Sequence, residues 1–343
     1  LLNYNNNMDN GVNKAESSDL ESFHDYLLQA NNILAVVGAG LSASSGLSTF
    51  RGAGGIWRNF SPIDLATPDA FHFDPGLVWQ FYSARRYNAL KAKPNRGHYA
   101  LAELSKRRNG KFLTLTQNVD GLSTRAGHDK DTLLELHGSL FTLKCTNFFC
   151  NYIDQDNRQH PLTPALEGSE DEFPKKRKLN DQNDKEESRK RAKTDDVLER
   201  TKSHTSIAST GSSPDIKPVQ SIPEKDLPHC PECKEGLLRP GVVWFGESLP
   251  LKAVDTADEF LINNKIDLVL VIGTSGTVWP AMGYVERVQK RGGKVAVFNT
   301  EIDMEQIKKD KNWGFIGDAS KWLPIALEPI IGSDFVPRDY KRR

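Results

Sequence analysis

The chain has 343 residues, and its 45 lysines and arginines balance its 45 aspartates and glutamates, so the formal net charge is zero. A net charge of zero gives no indication of nucleic-acid or acidic partners. No apolar run reaches the roughly 18 residues that a membrane span requires, and the sequence shows no signal-peptide core and no Arg-rich transit pattern. We therefore expect an intracellular protein without a membrane partner.

Apolar strand patterns and amphipathic helix patterns alternate along most of the chain. The polar N-terminus, residues 1–20, is expected to be disordered. Continuous apolar runs, which are typical of strands in a parallel sheet, occupy residues 33–37, 112–116, 268–272 and 295–298. Helical patterns occupy residues 22–29, 76–90, 97–107, 251–263 and 280–291. This alternation predicts an α/β fold with a doubly wound parallel sheet.

A glycine-rich turn follows the first predicted strand. Residues 38–43 (GAGLSA) fit the pattern G-x-G-x-x-G/A, in which small residues let the backbone approach a pyrophosphate, although an ordinary tight turn is the alternative. A dehydrogenase would show a second strand ending in an acid about 20 residues later, and none is present. The candidate ribose-binding acid is Glu301, and a further glycine turn starts at Gly273. We therefore expect a nucleotide site built from distant segments, which argues against simple hydride transfer.

Polar residues follow the strand that ends at Thr116. Gln117, Asn118 and Asp120 come directly after it, at the edge where open α/β sheets bind ligands. A lone histidine is usually structural, but His137 precedes a glycine and lies between this strand and a pair of cysteines. The position of His137 favours a role as a catalytic base.

The four cysteines form two close pairs, Cys145 with Cys150 and Cys230 with Cys233. Without a secretory signal, such pairs predict a structural zinc ion held by four thiolates more than they predict disulfides. The alternatives are free thiols and a mixed site that uses His229 or His160.

The tract between the two cysteine pairs is unusually polar. Residues 151–229 hold 14 basic and 16 acidic side chains and few apolar ones, so the tract cannot offset its own ordering entropy. We expect residues 151–228 to be a disordered insertion. Basic clusters run from Lys175 to Lys178 and from Arg189 to Lys193, a pattern typical of nuclear import or nucleic-acid contact, with a solvated charged loop as the alternative.

Six motifs and the two cysteine pairs occur in a specific order. The motifs are GAGLSASSGLSTFRG at 38–52, TQNVDGL at 116–122, ELHGS at 135–139, VVWFGE at 242–247, GTS at 273–275 and NTE at 299–301. Together they resemble the sirtuins, NAD-dependent protein-lysine deacylases. The resemblance implies a catalytic domain over 21–343, with Rossmann-like parts at 21–60, 97–140 and 240–330. It also implies a small zinc-binding module at 141–150 and 229–238, and an active site in the cleft between the two.

The resemblance also implies roles for individual residues. His137 would be the general base that takes a proton from the NAD ribose, and the zinc bound by Cys145, Cys150, Cys230 and Cys233 would be structural. The residues expected to bind NAD are Gly38, Ala39, Gly40, Ser42, Thr49, Phe50, Arg51, Trp57, Gln117, Asn118, Val119, Asp120, Gly273, Thr274, Ser275, Asn299, Thr300, Glu301 and Ala319. Those expected to bind the acylated lysine are Tyr82, Arg85, Ala66, Val242, Trp244, Phe245 and Gly246, and residues 242–246 would pair with the substrate backbone as an added strand.

Tyr82 and Arg85 are three residues apart on a predicted helix, so their side chains share one face. A hydroxyl and a guanidinium can clamp a carboxylate, and the segment resembles the desuccinylase-type (class III) sirtuins, in which a small Ala such as Ala66 widens the acyl pocket. The resemblance implies succinyl-, malonyl- or glutaryl-lysine as substrate. Plain deacetylation is the alternative reaction, and Arg86 is a second candidate for the clamp residue. Tyr82 and Arg85 could also be an exposed pair on an amphipathic helix with no functional role.

Two rival functions stay open at this level. One is mono-ADP-ribosyl transfer from NAD at the same site, instead of deacylation that releases nicotinamide and O-acyl-ADP-ribose. The other is a non-enzymatic chromatin-binding module built on the zinc site and the basic tract. The basic clusters predict a nuclear or cytoplasmic location, whereas the resemblance to class III favours mitochondria.

Overall fold

Two β-sheets organise the protein. The computed structural model describes residues 12–14, 16–49, 57–169, 219–274, 281–338 and 340. The strands of these residues are β1 (Ile33–Val37), β2 (Phe112–Thr116), β3 (Leu133–Glu135), β4 (Gly138–Cys145), β5 (Ile153–Asp154), β6 (Leu238–Val242), β7 (Leu268–Ile272), β8 (Lys294–Asn299) and β9 (Trp313–Ile316). The large sheet is parallel with the order β3-β2-β1-β7-β8-β9, and the small sheet is antiparallel with the order β5-β4-β6.

Helices cover both faces of the large sheet and pack against the small one. They are α1 (Leu20–Gln29), α2 (Ala39–Ala43), α3 (Pro62–Leu65), α4 (Pro68–Phe73), α5 (Pro75–Lys91), α6 (Arg96–Arg108), α7 (Leu122–Arg125), α8 (Leu251–Asn263), α9 (Ala281–Lys290), α10 (Met304–Lys309) and α11 (Ala319–Ile331). Among the helices of the described residues, none combines the length and the apolar character that crossing a membrane requires.

Strand β1 shows why the large sheet is covered on both faces. Ile33, Ala35 and Val37 pack with α1, α6 and α11, whereas Leu34 and Val36 pack with α8 and α9 on the other face. Side chains alternate along a strand, so a strand that is apolar at every position needs a helical layer on each side. The predicted doubly wound α/β fold, with its Rossmann-like sheet, is confirmed.

The predicted elements agree closely with the observed ones. The first three predicted strands have the observed bounds, and β8 extends one residue beyond the predicted 295–298 at each end. All five predicted helices are present, although Pro280 lies outside the described residues. The sequence patterns predict neither β9, which is only four residues long, nor α11, whose Pro324 and Pro329 interrupt the helical signal.

The charged insertion differs from its prediction at both ends. The small sheet and helices α3, α4 and α5 share one core, and we call this unit the small domain. Residues 151–169 and 219–228 are ordered parts of it, because Leu166 and Leu227 are buried in that core. The few apolar side chains of the tract are concentrated where they reach this core, so the average composition hides them. The basic clusters at Lys175 to Lys178 and at Arg189 to Lys193 lie outside the described residues.

The expected disorder of residues 1–20 is also wrong for the part that the structure describes. Val12 forms an isolated bridge with Gly317, and the Ser17 and Ser18 hydroxyls accept backbone N–H groups of β9. Strand β9 lies at the edge of the large sheet, so its free backbone groups offer partners to a polar segment.

One face of α5 joins it to the small sheet. Trp79 Nε1 donates to the carbonyl of Leu238 in β6 at 2.8 Å, and the fully buried guanidinium of Arg86 donates to the carbonyl of Leu140 in β4. Arg86 also donates to the carbonyls of Asn157 and Gln159 at 2.9 and 3.0 Å. Burial lowers the pKa of Arg86 to about 10, so it stays charged at neutral pH. Arg86 therefore ties the start of the insertion to the helix.

Replacing Arg86 should weaken the whole domain. The substitution Arg86→Met keeps the length of the side chain but leaves the buried carbonyl of Leu140 and the carbonyls of Asn157 and Gln159 without this donor, which should lower the free energy of unfolding by about 3 kcal/mol. Urea denaturation followed by tryptophan fluorescence measures this loss. The control Arg107→Met removes an exposed ion pair with Glu103 and should cost less than about 1 kcal/mol. Equal midpoints for the two variants would contradict the anchoring role of Arg86.

Candidate active site and metal centre

Two glycine turns meet at the carboxyl ends of β1 and β7. A Cβ atom on Gly40 would lie 2.7 Å from the Cα atom of Gly273, and one on Gly273 would lie 2.5 Å from the backbone nitrogen of Leu41. Gly273 has a φ of +57°, which glycine adopts without strain. Ala39 and Gly40 are half-buried, so the turn is still open to solvent. The two predicted nucleotide-binding turns are thus in direct backbone contact.

The hydroxyl of Ser42 connects these turns to the end of β2. It donates to Asp120 Oδ2 at 2.7 Å and accepts from Asn118 Nδ2 at 3.2 Å. Asn118 also donates to the carbonyl of Gly38 at 3.0 Å. The structure therefore brings together the predicted cofactor residues Ser42, Asn118 and Asp120, but Ser42 and Asp120 are buried and serve mainly to hold the turn in place.

His98, which the sequence analysis missed, completes this network. Its Nδ1 accepts the backbone N–H of Asn95, so Nε2 carries the hydrogen and lies 3.4 Å from the Ser42 hydroxyl. Burial lowers the pKa of His98 to about 4, which keeps the ring neutral at physiological pH. Asn95 and His98 form a capping box at the start of α6, and the Asn-x-x-His spacing before an apolar run is the sequence signal that could have identified it.

His137 has one ring nitrogen committed and one available. Its Nδ1 lies 3.0 Å from the carbonyl of Gln117, and since a carbonyl only accepts, Nδ1 carries the hydrogen and Nε2 is the basic atom. Burial lowers the pKa of His137, and the hydrogen bond to Gln117 opposes that shift in part. The following residue must be glycine, because a Cβ on Gly138 would lie 2.1 Å from the carbonyl oxygen of Gly241.

Side chains at the ends of β2, β7 and β8 form a further chain of contacts. Thr274 Oγ1 donates to Gln117 Oε1 at 3.3 Å, and Asn299 Nδ2 donates to the carbonyl of Thr274 at 3.2 Å. Gln117 Nε2 is buried and makes no hydrogen bond within the described residues. A buried donor without a partner is costly unless a ligand supplies an acceptor, so this set of side chains fits a nucleotide.

Other predicted cofactor residues are placed differently. Trp57 is fully buried against Phe60 and Phe81, and the Ala319 side chain is buried at the start of α11. Their contact with NAD stays a prediction. Val119 packs against the core of the small domain, Thr49 is half-buried, and Thr300 and Glu301 are exposed. Phe50, Arg51 and Ser275 lie outside the described residues.

Tyr82 and Arg85 are not an exposed pair on the outer face of an amphipathic helix. Tyr82 is 2% exposed, its hydroxyl accepts Trp244 Nε1–H at 3.0 Å, and burial raises its pKa to about 12. Arg85 is half-buried with its guanidinium carbon 5.5 Å from the centre of the Phe81 ring. Burial lowers the pKa of Arg85, and Tyr82 and Asp120 oppose that shift in part. The second clamp candidate, Arg86, is excluded because its guanidinium is bound to the small domain.

Ala66 and residues 242–246 lie beside this pair. Ala66 is buried, and its carbonyl accepts the N–H of Phe245 at 2.9 Å. Strand β6 lies at an edge of the small sheet, which leaves one side open to an added strand. The N–H groups of Val243, Trp244 and Phe245 already donate within the chain, so a substrate backbone would have to use the carbonyls of this segment and the exposed Gly246.

The four cysteines form one cluster. All four sulfur atoms lie within 4.8 Å of one another, and Cys145 and Cys233 are 3.6 Å apart. A zinc–sulfur bond of roughly 2.3 Å predicts sulfur–sulfur edges of about 3.8 Å, so the site fits zinc and is too open for disulfides. Backbone N–H groups of Asn147 and Gly236 donate to two of the sulfurs. The Gly236 N–H lowers the pKa of Cys233 to about 7, whereas burial raises the pKa of Cys145 to about 12, so the thiolate forms more readily at Cys233 than at Cys145.

The mixed metal site is excluded among the described residues. His229 Nδ1 lies 2.8 Å from the carbonyl of Leu227, and the ring of His160 packs on that of Tyr87. Neither histidine belongs to the cluster of metal-binding side chains. The predicted zinc site with four cysteines is confirmed.

Metal content separates these alternatives in solution. Purified protein should hold one zinc per chain by plasma mass spectrometry, and Cys233→Ser should lose the ion and lower the midpoint of thermal unfolding, because an open ligand position weakens binding. His229→Ala is the matched control and should keep the full zinc content. A loss of zinc in His229→Ala would contradict the four-cysteine site.

Comparisons with known proteins agree with this geometry. The family profile described as "Sir2 family" matches residues 38–280. A Candida albicans protein named NAD-dependent protein deacylase is 54% identical over 324 residues, which cover 92% of this chain and 99% of that protein. A Canis lupus familiaris protein named NAD-dependent protein deacylase sirtuin-5, mitochondrial, is 37% identical over 318 residues, covering 91% and 86%.

Solved structures extend the similarity to the fold. A Sir2 homologue in complex with NAD is 29% identical with a TM-score of 0.63, covering 90% of this chain and 93% of that one. A Sir2 homologue variant in complex with ADP-ribose has the same identity and TM-score and covers 91% and 96%. These matches favour an enzyme over the non-enzymatic chromatin-binding module.

Proposed function

The chain belongs to the Sir2 family of NAD-dependent protein deacylases, and from this premise we propose that it removes succinyl, malonyl and glutaryl groups from lysine side chains. The observation that carries the proposal is the pair formed by the buried Tyr82 hydroxyl and the half-buried Arg85 guanidinium, with Ala66 nearby. A hydroxyl and a guanidinium together suit a carboxylate better than a methyl group. The relative named sirtuin-5 adds support.

NAD fits the edge of the large sheet. The backbone turns at Gly38, Gly40 and Gly273 would hold its phosphates, and Asn299 and Glu301 would hold its adenosine side. Gln117 Nε2 and Asn118 would bind near the nicotinamide ribose, since Gln117 offers a buried donor that no described residue uses. When bound, NAD supplies the ribose that takes up the acyl group as nicotinamide leaves, giving O-acyl-ADP-ribose.

Residues of the chain would supply the general base, the substrate-binding groups and the structural metal ligands. His137 Nε2 would take a proton from a ribose hydroxyl, and its Nδ1–H bond to Gln117 fixes the ring and the tautomer. Arg85 and Tyr82 would hold the acyl carboxylate and so position the acyl carbonyl. A zinc ion held by the four cysteines would stabilise the small domain and take no part in the chemistry, because four thiolates leave no position for water.

The acyl preference can be tested with peptides that carry acetyl-, malonyl-, succinyl- or glutaryl-lysine, assayed for nicotinamide release. Arg85→Met should raise KM for succinyl-lysine about tenfold or more and change KM for acetyl-lysine little, because only the former loses a charged hydrogen bond. Arg107→Met serves as the exposed control. Equal losses on both substrates, or a wild-type preference for acetyl-lysine, would support plain deacetylation instead.

The general base can be tested by pH dependence. A lowered pKa keeps His137 neutral to more acid pH than a free imidazole, so the acid limb of kcat/KM should have its midpoint below about 6.5. Burial raises the pKa of the nearby Glu135 to about 7, so this carboxyl group could also produce an acid limb. Glu135→Gln is therefore the control and should keep the acid limb of kcat/KM. His137→Ala should abolish turnover with the fold intact. Retained turnover in His137→Ala would remove this residue from the mechanism.

The other open questions concern the product and the compartment. Mono-ADP-ribosyl transfer is distinguished from deacylation by mass spectrometry of the products, since only deacylation forms O-acyl-ADP-ribose. For the compartment, the relatives named mitochondrial support mitochondria, whereas the basic clusters from Lys175 to Lys178 and from Arg189 to Lys193 are the sole basis for a nuclear or cytoplasmic location. The proposed partners are proteins that carry acylated lysines.

A further inference from the structure

Trp244 is held in place by a charged pair rather than by regular secondary structure. It follows β6, and its backbone N–H donates to Glu247 Oε2 at 2.9 Å. Glu247 accepts two hydrogen bonds from Arg239, at 2.5 and 2.9 Å. The Arg239 guanidinium carbon lies 3.5 Å from the centre of the Trp244 ring. Arg239 therefore fixes residues 244–247 at both ends, through its ion pair with Glu247 and through its contact with the face of the Trp244 ring.

The same tryptophan packs on the wall of the proposed acyl pocket. Its ring centre lies 5.3 Å from that of Phe71 and 6.4 Å from that of Tyr82. Trp244 is 3% exposed, so the indole has little freedom to turn. Its single polar atom, Nε1, is directed at the hydroxyl of Tyr82 at 3.0 Å.

This contact determines whether the Tyr82 hydroxyl donates or accepts hydrogen bonds. An indole N–H only donates, so the phenol oxygen acts as acceptor toward Trp244 and its own hydrogen must be directed elsewhere. Within the described part of the chain the Tyr82 hydroxyl donates to no other group. The Arg85 guanidinium also only donates. Tyr82 and Arg85 therefore both offer donors from the same side of α5, and a carboxylate is the acyl terminus that can accept from both.

We propose that Trp244, held by Arg239 and Glu247, is a positioning residue that makes the Tyr82 hydroxyl a hydrogen-bond donor and thereby sets the preference for dicarboxylic acyl groups. This inference rests on the proposed function, since it concerns the same pocket. It adds three residues outside the Tyr82 and Arg85 pair to the determinants of acyl specificity.

The substitution Trp244→Phe tests the inference, because it keeps an aromatic ring and removes the N–H. We expect the ratio of kcat/KM for succinyl-lysine to kcat/KM for acetyl-lysine to fall about fivefold, in line with the loss of one orienting hydrogen bond. The matched control is Trp322→Phe, which removes the N–H of another buried indole, a donor to the carbonyl of Ile316 in the core of the large sheet, and should leave the ratio unchanged. In a Tyr82→Phe background, adding Trp244→Phe should change the ratio no further.

A second variant separates the loss of the N–H from any change in packing caused by the smaller phenyl ring. Benzothienylalanine at position 244 replaces the N–H by sulfur in a ring of almost the same shape, and it should lower the ratio as Trp244→Phe does. An unchanged ratio in both variants, with wild type preferring succinyl-lysine, would overturn the role of Trp244 alone. An equal fall in Trp322→Phe would reduce that role to a general loss of core packing. A wild-type preference for acetyl-lysine would overturn the proposed function and this inference together.

Discussion

The attachment of α5 to the small sheet is the constraint on which the rest of the site depends. Trp79, Tyr82 and Arg86 lie at i, i+3 and i+7, and each contacts the small domain through one polar group. Unsatisfied polar groups are costly in a core, so these bonds fix the helix in register as well as in position. Arg85, three residues after Tyr82 on the same face of α5, is thereby held at the proposed acyl pocket.

The nucleotide edge is built by close backbone contact. Gly40 and Gly273 permit an approach that any Cβ would block, and the Ser42 hydroxyl joins the first turn to Asn118 and Asp120. Neutral His98 supports this hydroxyl from a buried position. Polar side chains that would otherwise bind water are thus satisfied by one another, which keeps the edge rigid before a ligand arrives.

The cysteine cluster and the proposed base are linked through a single strand. Strand β4 begins directly after His137 and ends at Cys145, so the strand that places the proposed base also supplies a metal-binding cysteine. Gly138 lets β4 approach β6 closely enough for the carbonyl of His137 to accept the N–H of Val243. A structural metal can therefore influence activity through geometry while it takes no part in the reaction.

The sequence by itself determined the alternating α/β pattern, the zinc ligands and the motifs around His137, because each depends on local spacing or on residue type. It could not separate Arg86 from Arg85 as the clamp residue, place Trp57 in the core, or show that residues 151–169 are ordered. Those outcomes depend on which side chains meet across long sequence separations. Tertiary structure alone decided that Arg86 binds carbonyls of the small domain and that Trp244 donates to Tyr82, because a buried polar group takes whichever partner the folded chain brings within reach.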